Sequence, residues 1–197
     1  MIPADAANLT VEPLGKLAGN AHASCPIRLD GVRATTGQVL GGPRVVESAW
    51  PTLRLTGILE CLNVSAMACG LAHAATLSAS AFIRERHQFG EALTGFQSIQ
   101  HAVVEMSTVA TGMQLFLEHA LRAHAAGTDA TQAISMAKYF CSEQLQQVVE
   151  KAVRVMGGRA YFDFEPVSRF YREAPFCLFA VGTVEIQKML IARMLGL

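Results

Sequence analysis

Two short segments carry residue types that can bind a phosphate group. Arg86 opens the sequence RHQFG at the end of a long apolar stretch. A cation at this place either complements the dipole of a helix carboxyl end or binds an anion. Gly157 and Gly158 follow the third predicted helix. A glycine pair either ends a helix or lets backbone amides approach a pyrophosphate closely, and each motif alone leaves both interpretations open.

Other common catalytic arrangements are missing from the sequence. The six histidines include no pair spaced by three or four residues, so no helical metal site is predicted. There is also no GxSxG, no GxGxxG after a predicted strand and no GxxxxGK[ST]. Hydrolase, dinucleotide and P-loop chemistry therefore have no sequence support.

The composition limits the partners that the chain could bind. Lys plus Arg and Asp plus Glu each number 16, so the net charge is zero and no basic surface is expected to attract nucleic acid or an anionic membrane. Hydrophobic residues make up 51% of the chain. Such a chain can bury a large core, and we expect it to cover further apolar surface in an oligomer.

Cysteine usage and the first residues indicate a cytoplasmic protein. The five cysteines are odd in number and include no CxxC, which argues against a disulfide framework or a zinc ribbon. The start MIPADAANLTVEPLG lacks the charged and apolar regions of a signal peptide. The interval between Glu60 and Arg84 has no charge and is long enough to span a bilayer. Its polar residues favour a buried bundle helix instead: Asn63, Ser65, His73, Thr76, Ser78 and Ser80.

Hydrophobic periodicity predicts a mainly helical chain after a short β-rich start. Residues 1–45 hold the extended-looking pieces LTVEPL, PIRLDGVRA and QVLGG, separated by prolines and glycines. The first long helix is predicted from about Ser48 to His87, followed by a break at Gly90 to Gly95. Steps of three and four then predict a second helix, which ends near Gly127 and whose inward stripe is Phe96, Ile99, Val103, Met106, Ala110, Met113, Leu117 and Ala120.

Two more helices and a short helical piece complete the prediction. The third helix is expected from Asp129 or Thr131 to Met156, with Ile134, Ala137, Cys141, Leu145, Val148, Ala152 and Val155 inward. Pro166 starts the short piece, and Thr183 is a suitable N-cap for the last helix, with Ile186, Met189, Leu190 and Met194 expected inward. The predicted fold is an antiparallel four-helix-type bundle over residues 46–197, after a β-rich piece over residues 1–45.

Several motifs, taken in order, resemble the C-terminal helical domain of the acyl-CoA dehydrogenase family. They are ERHQFG, FQSIQ, Ala137-Lys138, VMGGRAYF, VSRFYREA and GTVEIQKMLIARMLG. The resemblance covers about residues 48–197. The preceding LDGVRATTGQVLGG resembles the end of the family's middle β domain, so residues 1–45 are expected to be a remnant of that domain. The chain then corresponds to roughly the second half of a family member.

The resemblance implies an FAD site that subunits of an oligomer share. Arg86 would lie near the pyrophosphate, and the glycine pair would approach the adenine end of the cofactor in a neighbouring subunit. The residues implied as FAD contacts are Arg86, Gln88, Phe89, Gln97, Gly157, Gly158 and Thr183. In the family's reaction a carboxylate removes the α proton of an acyl-CoA thioester while the β hydrogen passes as hydride to the flavin, and the electrons then pass to an electron-transfer flavoprotein.

The substrate half of the family pattern is altered in this chain. Val181 stands where the family motif E-G-T has its glutamate, and Cys61 stands where an arginine commonly contacts CoA. Arg154 and Ala160 replace a glutamine and a glycine around the Gly-Gly pair. Some members carry the base on the first helix, at the position that Glu60 occupies here, so Glu60 is either the catalytic base or an ordinary helical carboxylate.

Three hypotheses follow from this pattern. The chain is an acyl-CoA dehydrogenase, or its C-terminal portion, that uses FAD and Glu60. Alternatively it is a non-catalytic subunit that completes the FAD site of a partner, in a homo- or hetero-oligomer. The third hypothesis is a truncated homologue whose bundle folds but binds nothing well.

Overall fold

The computed structural model describes residues 1–42, 50–127 and 129–197, with side chains of the first helix from Thr56 onward. The chain divides into two compact units, Met1–Gly57 and Ile58–Leu197. The predicted start of the first helix at Ser48 and the predicted domain boundary at residues 45 and 46 lie outside the described residues.

The first unit contains one small antiparallel sheet. Strand β1 (Leu9–Val11) pairs with strand β2 (Ile27–Leu29), with Leu9 opposite Leu29. The prediction of a third extended segment in QVLGG is wrong at its start, because Thr36–Gln38 form a 3-10 turn. The backbone N–H of Thr35 donates to Oε1 of Gln38 at 2.8 Å, which stabilises this turn. That the unit is a remnant of a β domain stays a prediction.

The helices of the second unit confirm the predicted bundle. They are α1 (Trp50–Glu85), whose first residues belong to the first unit, α2 (Gln97–Ala125), α3 (Thr131–Met156), α4 (Pro166–Glu173), α5 (Phe176–Phe179) and α6 (Val184–Met194). The predicted break between α1 and α2 contains a hairpin, β3 (His87–Gln88) and β4 (Glu91–Ala92), that the periodicity did not reveal. A 3-10 turn, Gly157–Tyr161, follows α3.

The core forms where α1, α2 and α3 pack together. Helix α1 contributes small side chains with no solvent exposure, Ala68, Ala72, Ala75 and Ala79, which let the neighbouring helices approach closely. The predicted stripe of α3 is buried throughout. In α2 the central and final positions of the stripe are buried, whereas Ile99, Val103 and Leu117 are half-buried against the core.

By length and composition alone, the Thr56–Glu85 part of α1 could cross a membrane. Two of its polar side chains lie within the bundle, whereas Asn63 and His73 are exposed. The hydroxyl groups of Ser65 and Thr76 are buried, and each donates to the carbonyl four residues earlier, at 2.8 Å. A core helix of a helical bundle has the same apolar composition, so this feature is weak evidence for a membrane span.

The last helix confirms the predicted N-cap but not the predicted inward face. The Oγ1 atom of Thr183 accepts from the backbone N–H of Ile186 at 3.4 Å. Val184 and Gln187 are the buried residues of α6, while Leu190 is half-buried. The other three residues predicted to point inward are 40–43% exposed: Ile186, Met189 and Met194. Relative to the predicted orientation, α6 is therefore rotated about its axis. The amide of the buried Gln187 bonds to the turn before α6, whereas a prediction from hydrophobicity alone leaves this polar residue off the inward face.

Candidate functional site

A cleft of about 750 Å³, which we call the Arg86 cleft, lies between the carboxyl end of α1 and the turn that follows α3. Helix α1 contributes Phe82 and its last residue Glu85, Arg86 follows directly, and the turn contributes Gly158 and Arg159. Two of the residues predicted to bind the cofactor, Arg86 and Gly158, therefore line the same space although they lie far apart in sequence. Glu165 closes another side of the cleft.

The backbone fixes the position of Arg86 and leaves its guanidinium exposed. The N–H of Arg86 donates to the carbonyl of Phe82 at 2.9 Å, and its own carbonyl accepts from the N–H of Leu93 at 2.8 Å. Arg86 therefore connects the last turn of α1 to the residue after the hairpin. Among the described residues, no ion pair or side-chain hydrogen bond engages its guanidinium. This group is free to bind an incoming anion in the bidentate manner typical of arginine.

The two glycines of the turn differ in what favours a glycine at each position. Gly157 caps α3 with a φ of 58°, a conformation that favours glycine. Gly158 has no such φ, and a Cβ added there would meet no atom within 4 Å. Neither its conformation nor packing against the described residues requires a glycine at 158. The missing side chain leaves the backbone accessible from the cleft, as a phosphate-binding turn requires.

The other arginine of the cleft is already engaged. Arg159 forms an ion pair with the half-buried carboxylate of Glu165. Its guanidinium also lies 4.8 Å from the ring centre of Phe164, which stacks on Phe162 with 5.4 Å between ring centres. The charge of Arg159 is thus compensated within the chain. Arg86 is the cation of the cleft that has no acid partner among the described residues.

Three other predicted cofactor residues follow Arg86 in the chain and lie outside the lining of the cleft. Gln88 is exposed in β3, opposite Glu91. Phe89, at the hairpin tip, has a φ of 54° and is 92% exposed, and its ring packs edge-on against Phe96 at 6.1 Å. Gln97 is the exposed first residue of α2. A large exposed aromatic ring beside polar side chains is available for contact with another molecule.

The last predicted cofactor residue, Thr183, belongs to a second region, which we call the Val181 turn (Val181–Thr183). The Sγ atom of Cys61 lies 3.9 Å from the carbonyl oxygen of Val181. This contact places the α1 segment that carries Glu60 beside the Val181 turn. Glu60 itself is exposed. Val181 has a φ of 57°, which is strained for a β-branched residue.

Two buried polar residues at the Val181 turn were missed in the functional interpretation of the sequence. The ammonium of Lys138 donates to the carbonyls of Leu178 at 3.2 Å and Gly182 at 2.9 Å, and the whole residue has no solvent exposure. The Nε2 atom of Gln187 lies 3.4 Å from the carbonyl oxygen of Val181. Burial lowers the pKa of Lys138, because a low-polarity environment disfavours the ammonium form.

A signal for Lys138 was present in the sequence. It falls on the inward stripe of α3, between Ile134 and Cys141, where a charged residue needs a buried partner. Periodicity placed this stripe correctly, but the partners of Lys138 are backbone carbonyls, which leave no mark in a sequence. Within the described part of the chain, no group of three or more His, Cys, Asp or Glu side chains could hold a metal ion.

The sequence matches one protein family over most of its length. Residues 59–196 match the family described as acyl-CoA dehydrogenase, C-terminal domain. The "Probable acyl-CoA dehydrogenase YngJ" of Bacillus subtilis (strain 168) is 30% identical over 198 residues, covering 99% of this chain and 51% of that protein. The "Caffeyl-CoA reductase-Etf complex subunit CarC" of Acetobacterium woodii is 32% identical over 68% of this chain and 35% of that protein.

Solved structures share the fold. An acyl-CoA dehydrogenase from Geobacillus kaustophilus superimposes with a TM-score of 0.94 at 25% identity, covering all of this chain and 51% of that one. An FAD complex of PigA superimposes with a TM-score of 0.90 at 25% identity, covering 98% of this chain and 50% of that one. The chain thus spans about half the length of the proteins it matches. On the family match, the shared fold and the motifs that line the cleft, the chain belongs to the acyl-CoA dehydrogenase family and corresponds to its C-terminal helical domain.

Proposed function

We propose that this chain binds the diphosphate part of FAD and acts in the α,β-dehydrogenation of an acyl-CoA thioester. The observation that carries the proposal is the cleft that is lined both by Arg86, whose guanidinium has no ion pair with any described residue, and by the open backbone of Gly158. A guanidinium and a bare glycine turn at a helix end are groups that bind phosphate. PigA, a protein that shares this fold, was solved with FAD, which supports this choice of phosphate ligand.

The residues present fit a dinucleotide cofactor. Arg86 would bind the phosphates, and Gly157 and Gly158 would allow the cofactor to approach the backbone. Phe89, Gln88, Gln97 and Thr183 are exposed or half-exposed, so a cofactor shared with another subunit could reach them. Bound FAD supplies the acceptor for the hydride that leaves the β carbon of the acyl chain.

Glu60 is the group we assign as the base that removes the α proton. Its exposed carboxylate can accept a proton from a bound substrate, and the Cys61 contact keeps its helix segment beside the Val181 turn. The side chain of Val181 itself has no atom that can take a proton. Substrate binding must exclude water from Glu60 for proton removal to be efficient.

The proposal extends to an oligomer and to an electron acceptor. Several large apolar side chains of the second unit are exposed, including Ile186, Met189 and Met194 of α6, as expected for a surface that another subunit covers. A relative is named as a subunit of an Etf complex. We propose an electron-transfer flavoprotein as the acceptor of electrons from this chain's assembly.

A non-catalytic subunit is the second candidate function. The observation that favours it is the aliphatic side chain of Val181, together with the buried thiol of Cys61. The cleft can complete the FAD site of a partner without any base on this chain. In that case the Arg86 cleft keeps its role and Glu60 has none.

Equilibrium titration of the purified full chain with FAD, ADP and riboflavin tests the proposal. We expect FAD to bind and ADP to compete with it, because the cleft binds the diphosphate part, while riboflavin competes poorly. Absence of FAD binding, both alone and in the assembly in which the chain is purified, would contradict the proposal. Reduction of bound flavin by an acyl-CoA substrate then distinguishes the enzyme from the non-catalytic subunit.

A further inference from the structure

Lys138 is a fully buried cation outside the cleft of the proposed cofactor site. It lies on α3, and both of its hydrogen-bond acceptors are backbone carbonyls of the segment that connects α4 to α6. No carboxylate among the described residues forms an ion pair with it, and Glu143 and Glu185 act on it only at longer range. A buried ammonium costs free energy, so its retention calls for an explanation in terms of what it holds.

The first acceptor of Lys138 is a carbonyl at the end of the short helix α5. The carbonyl of Leu178 lies in the last turn of α5 (Phe176–Phe179), where carbonyls lack helical partners. The second acceptor, the carbonyl of Gly182, immediately precedes the N-cap Thr183. One ammonium therefore connects the end of α5 to the start of α6.

The backbone at Val181, between these two acceptors, is strained, because this residue has a φ of 57°. The next residue, Gly182, has a φ of 86°, a conformation that suits glycine. A β-branched residue rarely adopts such a conformation, and it persists where surrounding contacts determine it. Those contacts are the Lys138 bond to Gly182, the Gln187 bond to Val181 and the approach of the Cys61 thiol to Val181.

We propose that Lys138 is a positioning residue that fixes the Val181 turn, and with it Thr183 and the amino end of α6, in the geometry that binds FAD. This inference rests on the proposed function, because it assigns the turn to a cofactor site that is shared with another subunit. Lys138 has no exposed atom in this chain, so it acts through the turn and not by contact with the cofactor. Its charge strengthens both hydrogen bonds relative to those of a neutral donor.

The test compares Lys138→Met with Lys151→Met on the same helix. Methionine keeps an unbranched apolar stem and removes the ammonium. Lys151 is partly exposed and pairs with Glu105 on the surface, so its replacement controls for loss of a lysine from α3. Two quantities are measured in each variant: amide hydrogen exchange at Val181 to Gln187, and FAD affinity of the full chain in its purified assembly.

In Lys138→Met we expect amide exchange at the turn to accelerate about tenfold or more, the effect of losing a hydrogen bond from a charged donor. Exchange in the centres of α2 and α3 should stay unchanged, and FAD affinity should fall by about the same factor as the turn loosens. Lys151→Met should match the wild type in both measurements. If Lys138→Met does not fold, Lys138→Gln, which keeps a neutral donor, is expected to show the same changes at smaller size.

Three results would overturn the role of Lys138. They are unchanged exchange at the turn, a loss of protection spread evenly over α2, α3 and α6, and a wild-type FAD affinity in the Lys138 variants. Failure of the proposed function gives a different result, since wild-type chain would then not bind FAD at all. In that event the exchange data alone decide whether Lys138 holds the turn.

Discussion

The Arg86 cleft and the Val181 turn are built in opposite ways. The cleft presents two groups to the outside: an arginine that forms no ion pair within the described part of the chain, and a glycine that no contact with a described residue requires. The turn is held from the inside by a lysine with no solvent exposure, by a buried glutamine and by a thiol. The first region presents groups that suit ligand binding, whereas the second has internal contacts that keep a strained backbone in place.

Because of this difference, we expect substitutions in the two regions to affect ligand affinity and folding stability differently. Substitutions in the cleft should change ligand affinity while leaving the free energy of unfolding nearly constant, because few internal contacts are lost. Substitutions at the turn should change local stability first and affinity through it. Variants of the two regions with the same effects on affinity and on stability would contradict this distinction between the cleft and the turn.

The largest expected effect comes from Glu60, which lies beside the turn but is exposed. If Glu60 is the base, Glu60→Gln removes the proton acceptor while keeping the shape of the side chain. Turnover of an acyl-CoA substrate should fall by about 10²- to 10⁴-fold, the range of general-base catalysis. Steady-state assays with an artificial electron acceptor provide the measurement.

Two further variants control that experiment. Glu118→Gln, at a partly exposed carboxylate that pairs with Arg122 on α2, should keep wild-type turnover. Val181→Glu in the Glu60→Gln background should restore part of the activity, since it returns a carboxylate to the position that the family motif uses. Full activity in Glu60→Gln would show that Glu60 is not the base, and inactivity of wild type with bound FAD would favour the non-catalytic subunit.

A pair of glycine substitutions compares the two regions directly. Gly182→Ala forces a side chain onto a φ of 86° and toward Gln187, so it should destabilise the protein by about 1–3 kcal/mol. Gly158→Ala meets no atom within 4 Å and should change the free energy of unfolding by less than about 0.5 kcal/mol, while weakening FAD binding. Urea unfolding and FAD titration of both variants test the contrast, and equal destabilisation by the two would contradict it.

The pH dependence of stability gives a smaller effect. The pKa of Lys138 is below its ordinary value of 10.5. Between the lowered pKa and 10.5 the unfolded chain binds more protons than the folded chain, so the Lys138 contribution to unfolding free energy increases as pH rises. The wild-type value minus the Lys138→Met value should therefore increase toward alkaline pH, by at most about 1.4 kcal/mol per pH unit. A flat difference would indicate an unshifted lysine.

The long helices could be predicted because their core positions repeat at helical spacing. The stripes of α2 and α3 follow the three-and-four pattern, and Gly127 and Gly157 mark where those helices end. The last helix could not be oriented this way. It carries apolar residues on more than one face, and hydrogen bonding of Gln187 to the turn decides which face is buried.

The candidate site could be predicted only in part. Motif resemblance identified Arg86 and Gly158, but their meeting in one cleft depends on the packing of α1 against the turn after α3. The role proposed for Lys138 depends on backbone carbonyls whose positions follow from the tertiary fold. Short sequence patterns record side-chain types and spacing, so contacts between a side chain and a distant backbone are not visible in them.

FAD titration of Arg86→Gln against Arg84→Gln tests the assignment of the cleft most directly. Arg84 is an exposed arginine in the last turn of α1, two residues before Arg86 and outside the lining of the cleft, so the pair differs in position and not in charge. We predict that Arg86→Gln weakens FAD binding by about 10- to 100-fold, the loss expected for a charge-assisted contact, with unchanged unfolding free energy. Arg84→Gln should bind FAD like the wild type. Equal affinities of the two variants would contradict the assignment of Arg86 to the cofactor phosphates.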